Sequence, residues 1–472
     1  MIKKFFTLFA IASLIWACTP APAPQEEVPV EEESENQDPE EKPEDPPVDP
    51  STLKALVVTA PVPENNFIFD SKPSFILQIN NRNEVPVSDN LTIKVLTDKK
   101  ETVTTLELGE FTVPALTTID KEVTLDYDFT PGFYKAQCVT QKRIARAVDF
   151  GIRPTEIVSA PDMQADFTEF WQTAIDELKA LDMNVRLVPV PDRSNVWLVE
   201  MQSIPDGPDG EPVLIHAYLA EPADASADKK YPVLIHFEGY DTQNPTGKMY
   251  CPSGASGGFI ELYMSNRGQM INNRTAAQRS DGIDEDYANI YGDWFAFHFG
   301  QKDAYYYRGA YMDCVQAVRF MATREGADMS HVFAEGKSQG GAFSYACAAL
   351  STDYPLAGIA PGVAFMGDFP DYFQIVDWPA NTAKANKGSM TDDEMYAFLS
   401  YFDTKNLATR ISCPIMANIG MKDTTCPPHT NIAPFNNALT PAADKVMYYY
   451  AEMGHDIPKG WDSKVKAFFK SL

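Results

Sequence analysis

The sequence predicts an α/β domain with a largely parallel sheet, preceded by a smaller all-β domain. After about residue 153, short apolar runs typical of strands alternate with segments whose apolar residues recur at helical spacing. This alternation favours a parallel sheet covered by helices on both faces. Between residues 53 and 152, short alternating runs are separated by Pro, Asn and Asp. That pattern predicts an immunoglobulin-like β-sandwich.

Length and composition restrict the class of protein further. A chain of 472 residues predicts more than one domain, and 44% hydrophobic residues are enough for a sizeable core. The formal net charge of −27 argues against binding to nucleic acid, whose phosphates need Lys and Arg. No zinc-type cysteine spacing or cofactor motif is found, so we expect neither a metal nor a cofactor.

The first 52 residues predict export and a lipid anchor. Lys3 and Lys4 precede an apolar run that is too short to cross a bilayer, and this run ends at Ala17-Cys18. Residues 1–18 resemble a bacterial lipoprotein signal in which Cys18 is lipidated; the alternative is a plain secretory signal. We therefore expect anchoring to the cell envelope, at the outer membrane, facing either the periplasm or the outside. Residues 19–52 are Pro-rich and acidic, which predicts an extended tether.

Residues 53–152 contain no constellation of catalytic or metal-binding residues. Strand-like runs such as Phe75–Ile79 and Leu91–Val95 account for most of the segment. A spacer or packing role is the main interpretation, and a glycan-binding module is the alternative. The chemistry is expected in the second domain, residues 153–472.

The G-x-S-x-G sequence Gly336–Gly340 is the central signal in that domain. It follows the strand-like run Val332–Ala334 and precedes a helix-like segment rich in small residues. In a nucleophile elbow, the serine occupies a sharp turn from strand to helix, and glycines such as Gly336 and Gly340 let neighbouring backbone pass close by. Ser338 is therefore the candidate nucleophile.

A serine nucleophile needs a base, and the base needs an acid to orient it. Of the six histidines, only His429 and His455 follow the elbow in the chain. His455 comes directly after a predicted strand, whereas His429 lies next to two prolines. Asp423 follows the strand-like run Cys413–Ile419. The order Ser338, Asp423, His455 is that of α/β hydrolases, which makes these three the candidate triad.

The oxyanion that forms during acyl transfer needs preorganised N–H donors. One should be the backbone N–H of Gln339, directly after the nucleophile. The other should come from the loop after the strand-like run Val233–Phe237, and we assign it to the backbone N–H of Tyr240.

Five sequence motifs together resemble one family. In chain order they are Arg267-Gly268-Gln269, Tyr305–Gly309, the Ser338 elbow, Gly420–Pro428 and Gly454-His455. This set is similar to the acetyl xylan esterases and cephalosporin C deacetylases, which form carbohydrate esterase family seven. The combination of an R-G-Q motif with an S-Q-G elbow is specific, and the resemblance extends from Pro154 to Leu472.

The resemblance implies a metal-free serine esterase acting on acetylated carbohydrate. It implies the same triad and oxyanion donors, and it makes Arg267, Gly268 and Gln269 structural supports of the site. Family members often form ring-like hexamers, so a homo-oligomer is possible, although the added β-domain and tether could obstruct such a ring. Glu238 stands where the family usually has histidine, and Asp456 replaces the usual glutamate.

Three alternatives remain open from sequence. A prolyl-oligopeptidase-like peptidase shares the fold and triad order, but residues 53–152 are too few for the propeller that such enzymes usually carry. An esterase for larger acyl groups, such as feruloyl esters, is the second. The third is a non-catalytic glycan-binding lipoprotein, against which the complete candidate triad argues.

Overall fold

The computed structural model describes residues 52–240, 249, 251–269 and 291–472. The predicted signal peptide with Cys18 and nearly all of the predicted tether lie outside the described residues. Lys54–Leu472 form one compact unit. The predicted division of this unit at residues 152 and 153 falls where a strand ends at Ile152, and the independence of the two parts stays a prediction.

Eight strands before Ile152 form two sheets. A three-stranded sheet has the order β1-β3-β6, and a five-stranded sheet has the order β2-β8-β7-β4-β5. All neighbours are antiparallel except β2 and β8. The strands are β1 (Val57–Thr59), β2 (Ile68–Phe69), β3 (Ser74–Asn80), β4 (Val87–Thr97), β5 (Thr102–Val113), β6 (Thr118–Thr124), β7 (Gly132–Thr140) and β8 (Arg143–Ile152).

Alternating burial along these strands confirms the predicted sandwich. Phe75, Leu77 and Ile79 on β3 are buried while their neighbours are more exposed, and β4 shows the same period of two. Each sheet therefore buries one face, as expected for two sheets packed together.

The second part of the chain is built on a nine-stranded sheet with the order β17-β16-β15-β14-β12-β13-β11-β10-β9. Strands β12 to β17 pair in parallel, while β9, β10 and β11 form an antiparallel edge. The strands are β9 (Arg186–Pro189), β10 (Val196–Ser203), β11 (Val213–Ala220), β12 (Tyr231–Phe237), β13 (Ile260–Ser265), β14 (Ala327–Lys337), β15 (Gly358–Gly362), β16 (Ile415–Gly420) and β17 (Lys445–Tyr450).

Nine α-helices are present in the described part of the chain. They are α1 (Phe167–Ala180), α2 (Tyr306–Met321), α3 (Gln339–Leu350), α4 (Phe369–Ile375), α5 (Ala380–Asn386), α6 (Asp392–Leu399), α7 (Thr404–Ala408), α8 (Pro428–Asn437) and α9 (Trp461–Lys470). Short 3₁₀ helices lie at Pro154–Glu156 and Ala442–Asp444. The first turn of α2, Tyr306–Gly309, is buried and lacks the periodic apolar pattern by which a helix is recognised in a sequence.

The sheet is covered on both faces, which confirms the predicted α/β fold. One core cluster includes Phe343 from α3 and Trp171 from α1, and a second cluster packs Trp461 and Phe469 from α9 against Phe333 of β14. The parallel register brings the carboxyl ends of β12, β14, β15, β16 and β17 to one edge of the sheet. Ligands in such folds bind at this edge.

No helix in the described ranges is both long enough and apolar enough to cross a membrane.

Candidate active site

Ser338 lies in a sharp turn between β14 and α3. Its backbone has φ 57° and ψ −119°, a conformation that is strained for any residue except glycine. Two hydrogen bonds hold the turn: the Ser338 N–H donates to Gly362 O at 2.9 Å, and the Ser338 carbonyl accepts from Phe365 N–H at 3.0 Å. The strand, turn and helix have the geometry expected of a nucleophile elbow.

The two elbow glycines allow β12 to pass directly beside the turn. A Cβ atom on Gly336 would lie 2.6 Å from the Gly340 carbonyl carbon and from Phe237 O. A Cβ on Gly340 would overlap the same Phe237 carbonyl. These positions require glycine because backbone, which cannot move aside, occupies the space that a side chain would need.

Asp423 and His455 are hydrogen-bonded to each other. The His455 Nδ1 lies 2.8 Å from Asp423 Oδ2, and the aspartate side chain is fully buried while the histidine side chain is 27% exposed. The other Asp423 oxygen accepts from the backbone N–H groups of Thr425 and Cys426, both at 2.8 Å. These bonds fix the carboxylate and leave His455 Nε2 as the ring nitrogen available to a substrate.

Cys426 connects this pair to the serine. The Cys426 side chain lies next to that of Ser338, and burial raises the pKa of the thiol well above its ordinary value. Ser338 therefore lies against the same loop, residues 421–428, that carries Asp423. The sequence motif at Gly420–Pro428 gave no reason to expect this contact.

His429, the other histidine after the elbow, has a different environment. Its Nε2 lies 2.9 Å from Asp368 Oδ2 and 3.3 Å from Ser159 Oγ, and its side chain is 9% exposed. Burial acts to lower the pKa of His429, but the hydrogen bond and charge of Asp368 raise it above the ordinary value. His429 is bonded to Asp368 and Ser159 rather than to Asp423, so geometry supports the choice of His455.

Asp368, Asp371 and His429 are also the described side chains that could together hold a metal ion. Lys405 Nζ lies 2.8 Å from Asp368, and Lys99 Nζ lies 2.6 Å from Asp371. Each carboxylate is thus already paired with an ammonium group, which is the arrangement of an ion-pair network.

Gln269 connects the R-G-Q motif to the predicted oxyanion loop. Its side-chain amide donates to Glu238 O at 3.3 Å and to Gly239 O at 3.2 Å. A Cβ on Gly239 would lie 3.9 Å from Ser338 Cβ, so this loop runs beside the serine. The second predicted donor, the Gln339 N–H, is the first of α3 and has no acceptor within the helix. Both predicted donors therefore belong to backbone adjacent to Ser338.

Arg267 is fully buried and anchors the loop that carries Gln269. Its guanidinium donates to Asp313 Oδ1 at 2.7 Å and Asp206 Oδ1 at 2.6 Å, and also to Ile204 O at 3.0 Å. Burial opposes the charge, but the two carboxylates keep the pKa of Arg267 above its ordinary value. At Gly268, where φ is 80°, a Cβ would lie 2.7 Å from the indole nitrogen of Trp294, which explains the glycine of the motif.

Aromatic rings form a wall beside the serine. The ring of Tyr240 packs edge-on against Trp294 and Trp378, with centroids 5.1 and 5.3 Å apart, and Phe365 stacks on Trp378 at 5.2 Å. Because the Phe365 backbone bonds to Ser338, this wall adjoins the nucleophile elbow. Sequence reasoning missed Phe365 and Trp378, since they lie in a loop without a recognisable motif.

A histidine with a side chain only 14% exposed also joins the strands that lead into the elbow and the oxyanion loop. His236 on β12 lies 2.5 Å from Glu335 on β14 and 3.3 Å from Glu261 on β13, and its ring stacks on Tyr263 at 4.2 Å. Lys466 of α9 is also paired with Glu261. Burial acts to lower the pKa of His236, and the bonds and charges of the two glutamates outweigh it, raising the pKa to about 9.

We expect His236→Gln to remove part of the pH dependence of stability. The pKa of His236 is raised above the unfolded value of about 6.5, so its stabilisation is complete below that pH and is lost as the pH rises through about 9. The free energy of unfolding should therefore fall over this window by roughly 2 kcal/mol more in the wild type than in the variant. Urea denaturation at both ends of the window measures it.

His331→Gln is the matched control, because His331 pairs with Asp328 but is 47% exposed. This variant should keep the wild-type pH dependence. Equal slopes for the wild type and His236→Gln would show that the buried histidine is not the titrating group.

The elbow, the Asp423–His455 pair and the adjoining backbone donors place the chain among the serine hydrolases of the α/β-hydrolase fold. It belongs to the acetyl xylan esterase family, whose model matches residues 156–472, and it is a carboxylic ester hydrolase. The matched range contains every predicted triad residue. The family assignment therefore favours the acetyl esterase over the three alternatives that the sequence had left open.

Individual relatives agree with this assignment. The chain is 26% identical over 323 residues to the acetyl esterase Axe7A of Xylanibacter ruminicola, covering 66% of this chain and 68% of the relative. The fold is similar to that of acetyl xylan esterase 1 from Thermoanaerobacterium sp. JW/SL YS485, with 23% identity, a TM-score of 0.54, and coverage of 67% and 96% of the two chains. The fold is also similar to that of an acetyl xylan esterase from Paenibacillus sp. R4, with 23% identity and a TM-score of 0.53. This match covers 67% of this chain and 98% of the other.

Proposed function

We propose that this enzyme removes acetyl groups from carbohydrate, with acetylated xylan or xylo-oligosaccharides as substrates. Ser338 is the nucleophile, His455 the general base and Asp423 the acid that orients it. The observation that carries the proposal is the 2.8 Å bond between Asp423 and His455 on loops beside the Ser338 elbow. The acetyl xylan esterase family supplies the substrate class.

The mechanism is acyl transfer in two steps. Ser338 Oγ attacks the acetyl carbonyl carbon while His455 Nε2 takes its proton, and the oxyanion accepts hydrogen bonds from the Tyr240 and Gln339 N–H groups. His455 then returns the proton to the sugar oxygen as the C–O bond breaks. Water attacks the acetyl-enzyme with the same base, releasing acetate and regenerating Ser338.

The aromatic wall favours short acyl groups. Trp378 and Phe365 are stacked on each other beside the serine, and Tyr240 is held by a 2.6 Å hydrogen bond from its hydroxyl to Asp293. Rings fixed in this way leave little room for a long acyl chain to displace them.

The test is acetate release from acetylated xylo-oligosaccharides, run beside p-nitrophenyl acetate, butyrate and octanoate. We expect rapid acetate release and a steep fall in kcat/KM beyond butyrate. Hydrolysis of aryl esters without release from the oligosaccharide would contradict the substrate assignment and leave the esterase assignment standing.

We further propose that the protein is anchored to the outer membrane through lipidated Cys18, on the basis of the signal-like residues 1–18. The wild type should fractionate with membranes, and Cys18→Ser should be recovered in the soluble fraction with unchanged kcat on aryl acetate. A Cys18→Ser protein that stayed equally membrane-bound would contradict the anchor.

The homo-oligomer expected from the family resemblance is likewise a proposal, and sedimentation of the enzyme lacking residues 1–18 tests it.

A further inference from the structure

A cavity lies next to the loop of residues 421–428, which carries Asp423. It has a volume of about 620 Å³ and separates the β-sandwich from residues 421–428. Strands β4, β7 and β8 form one wall, and Ile375, Val376 and the loop form the other. Asp423 and Thr424 border the cavity, whereas Ser338 and His455 do not. The cavity is thus adjacent to the reacting centre and distinct from it.

Two of the three carboxylates that line this cavity already have partners within the protein. Asp149 pairs with Lys135 at 2.7 Å across neighbouring strands. The Asp423 side chain is fully buried, and its two oxygens are hydrogen-bonded to the Thr425 and Cys426 N–H groups and to His455. Asp98 lies 3.7 Å from His429 Nδ1, and burial raises the pKa of its carboxyl.

Basic side chains also line this cavity, and not all of them have a carboxylate of their own. Arg146 Nη2 lies 2.8 Å from Glu452, and Lys422 is paired with that same carboxylate. Lys100 is exposed at the rim, and its ammonium has no ion pair within the described residues. Four basic side chains line the cavity against three carboxylates, which are Asp98, Asp149 and Asp423.

Arg146 also has an unused donor. Its Nε is buried and has no hydrogen-bond partner among the described residues. A buried donor without an acceptor costs free energy. Because the Arg146 side chain is 25% exposed, its guanidinium can also donate to a carboxylate oxygen of a bound ligand. The remaining lining is largely apolar, with Phe133, Met421 and Pro427 among its residues, and suits the C–H faces of a sugar ring.

The cavity contacts both catalytic loops. Glu452 lies three residues before His455, and Lys422 directly precedes Asp423. Ile375 and Val376 line the cavity, while Trp378, two residues further on, belongs to the aromatic wall beside Ser338. A ligand in the cavity would therefore be a near neighbour of the ester being cleaved.

We propose that this cavity is a subsite for a carboxylate-bearing sugar, a uronic acid carried by the acetylated glycan whose ester Ser338 cleaves. The inference rests on the proposed function and extends it, since it assigns the β-sandwich a part in substrate recognition. A volume of 620 Å³ lies within the roughly 300–1,000 Å³ of ordinary small-molecule sites.

The experiment compares acetylated xylo-oligosaccharides with and without a glucuronic acid branch. The wild type should show a higher kcat/KM on the branched substrate. Lys100→Glu should lower that value about tenfold, as expected for the loss of one charge-assisted contact, and leave the unbranched oligosaccharide and p-nitrophenyl acetate unaffected. Lys142→Glu is the matched control: Lys142 is also an exposed turn lysine with positive φ (56° against 68° for Lys100), but it does not line the cavity.

Binding to Ser338→Ala provides a measurement that does not depend on turnover. Calorimetry with a deacetylated, glucuronic-acid-branched oligosaccharide should show binding that Lys100→Glu weakens and Lys142→Glu does not. Equal affinity for branched and unbranched sugars, or equal effects of the two lysine variants, would overturn the subsite. If the branched sugar binds but no acetate is released from any glycan, the proposed function fails and the subsite stands.

Discussion

Replacing Ser338 with alanine is expected to lower kcat for ester hydrolysis by at least about a thousandfold, with the fold intact. The variant removes the oxygen that forms the acetyl-enzyme, while the backbone donors and the Asp423–His455 pair remain. Initial rates on p-nitrophenyl acetate measure the effect, and the thermal unfolding midpoint shows whether the variant is folded.

Ser344→Ala is the matched control for this prediction. Ser344 is also a buried serine of α3, and its hydroxyl donates to Gly340 O at 2.9 Å within the helix. Its replacement should leave kcat within about twofold of the wild type, because that hydroxyl bonds only to backbone. A Ser338→Ala enzyme that kept more than about a tenth of the activity would contradict the nucleophile assignment.

Arg267→Met should destabilise the folded protein by about 3–5 kcal/mol. The substitution leaves the buried carboxylate of Asp313 and the partly buried Asp206 without their cation. It also frees the loop that holds Gln269 against the oxyanion backbone, so kcat should fall in whatever fraction remains folded. Urea denaturation followed by tryptophan fluorescence gives the free energy of unfolding.

The control for Arg267→Met is Arg186→Met. Arg186 pairs with Glu200, but its side chain is 43% exposed, so its loss should cost less than about 1 kcal/mol. Similar losses in the two variants would show that the buried ion pairs do not stabilise the fold as described.

The predicted triad illustrates what sequence can provide. Ser338 was identifiable because a glycine-flanked serine followed an apolar strand, and both properties are local. Asp423 and His455 could be chosen because chain order and strand position restrict which residues reach the carboxyl edge of a parallel sheet. The structure places the two within hydrogen-bonding distance of each other.

Other contacts depend on distances between segments that no local pattern encodes. The contact between Cys426 and Ser338 joins two different loops, and the position of His236 between two glutamates joins three strands. Likewise, the β-sandwich was predicted as a spacer or packing domain, because nothing in its strands indicated that Arg146 would pair with Glu452 beside the catalytic loop. Long-range pairing of charged residues follows from the tertiary fold.

The most direct test of Ser338 as the nucleophile is to label the enzyme with an organophosphate ester and to map the modified peptide by mass spectrometry. We expect one phosphoryl group per chain, attached to Ser338, with loss of esterase activity in proportion to labelling. It also predicts much slower labelling in Asp423→Asn, in which His455 loses its orienting charge. Inactivation with the label on another residue, or full activity with Ser338 completely labelled, would contradict the account.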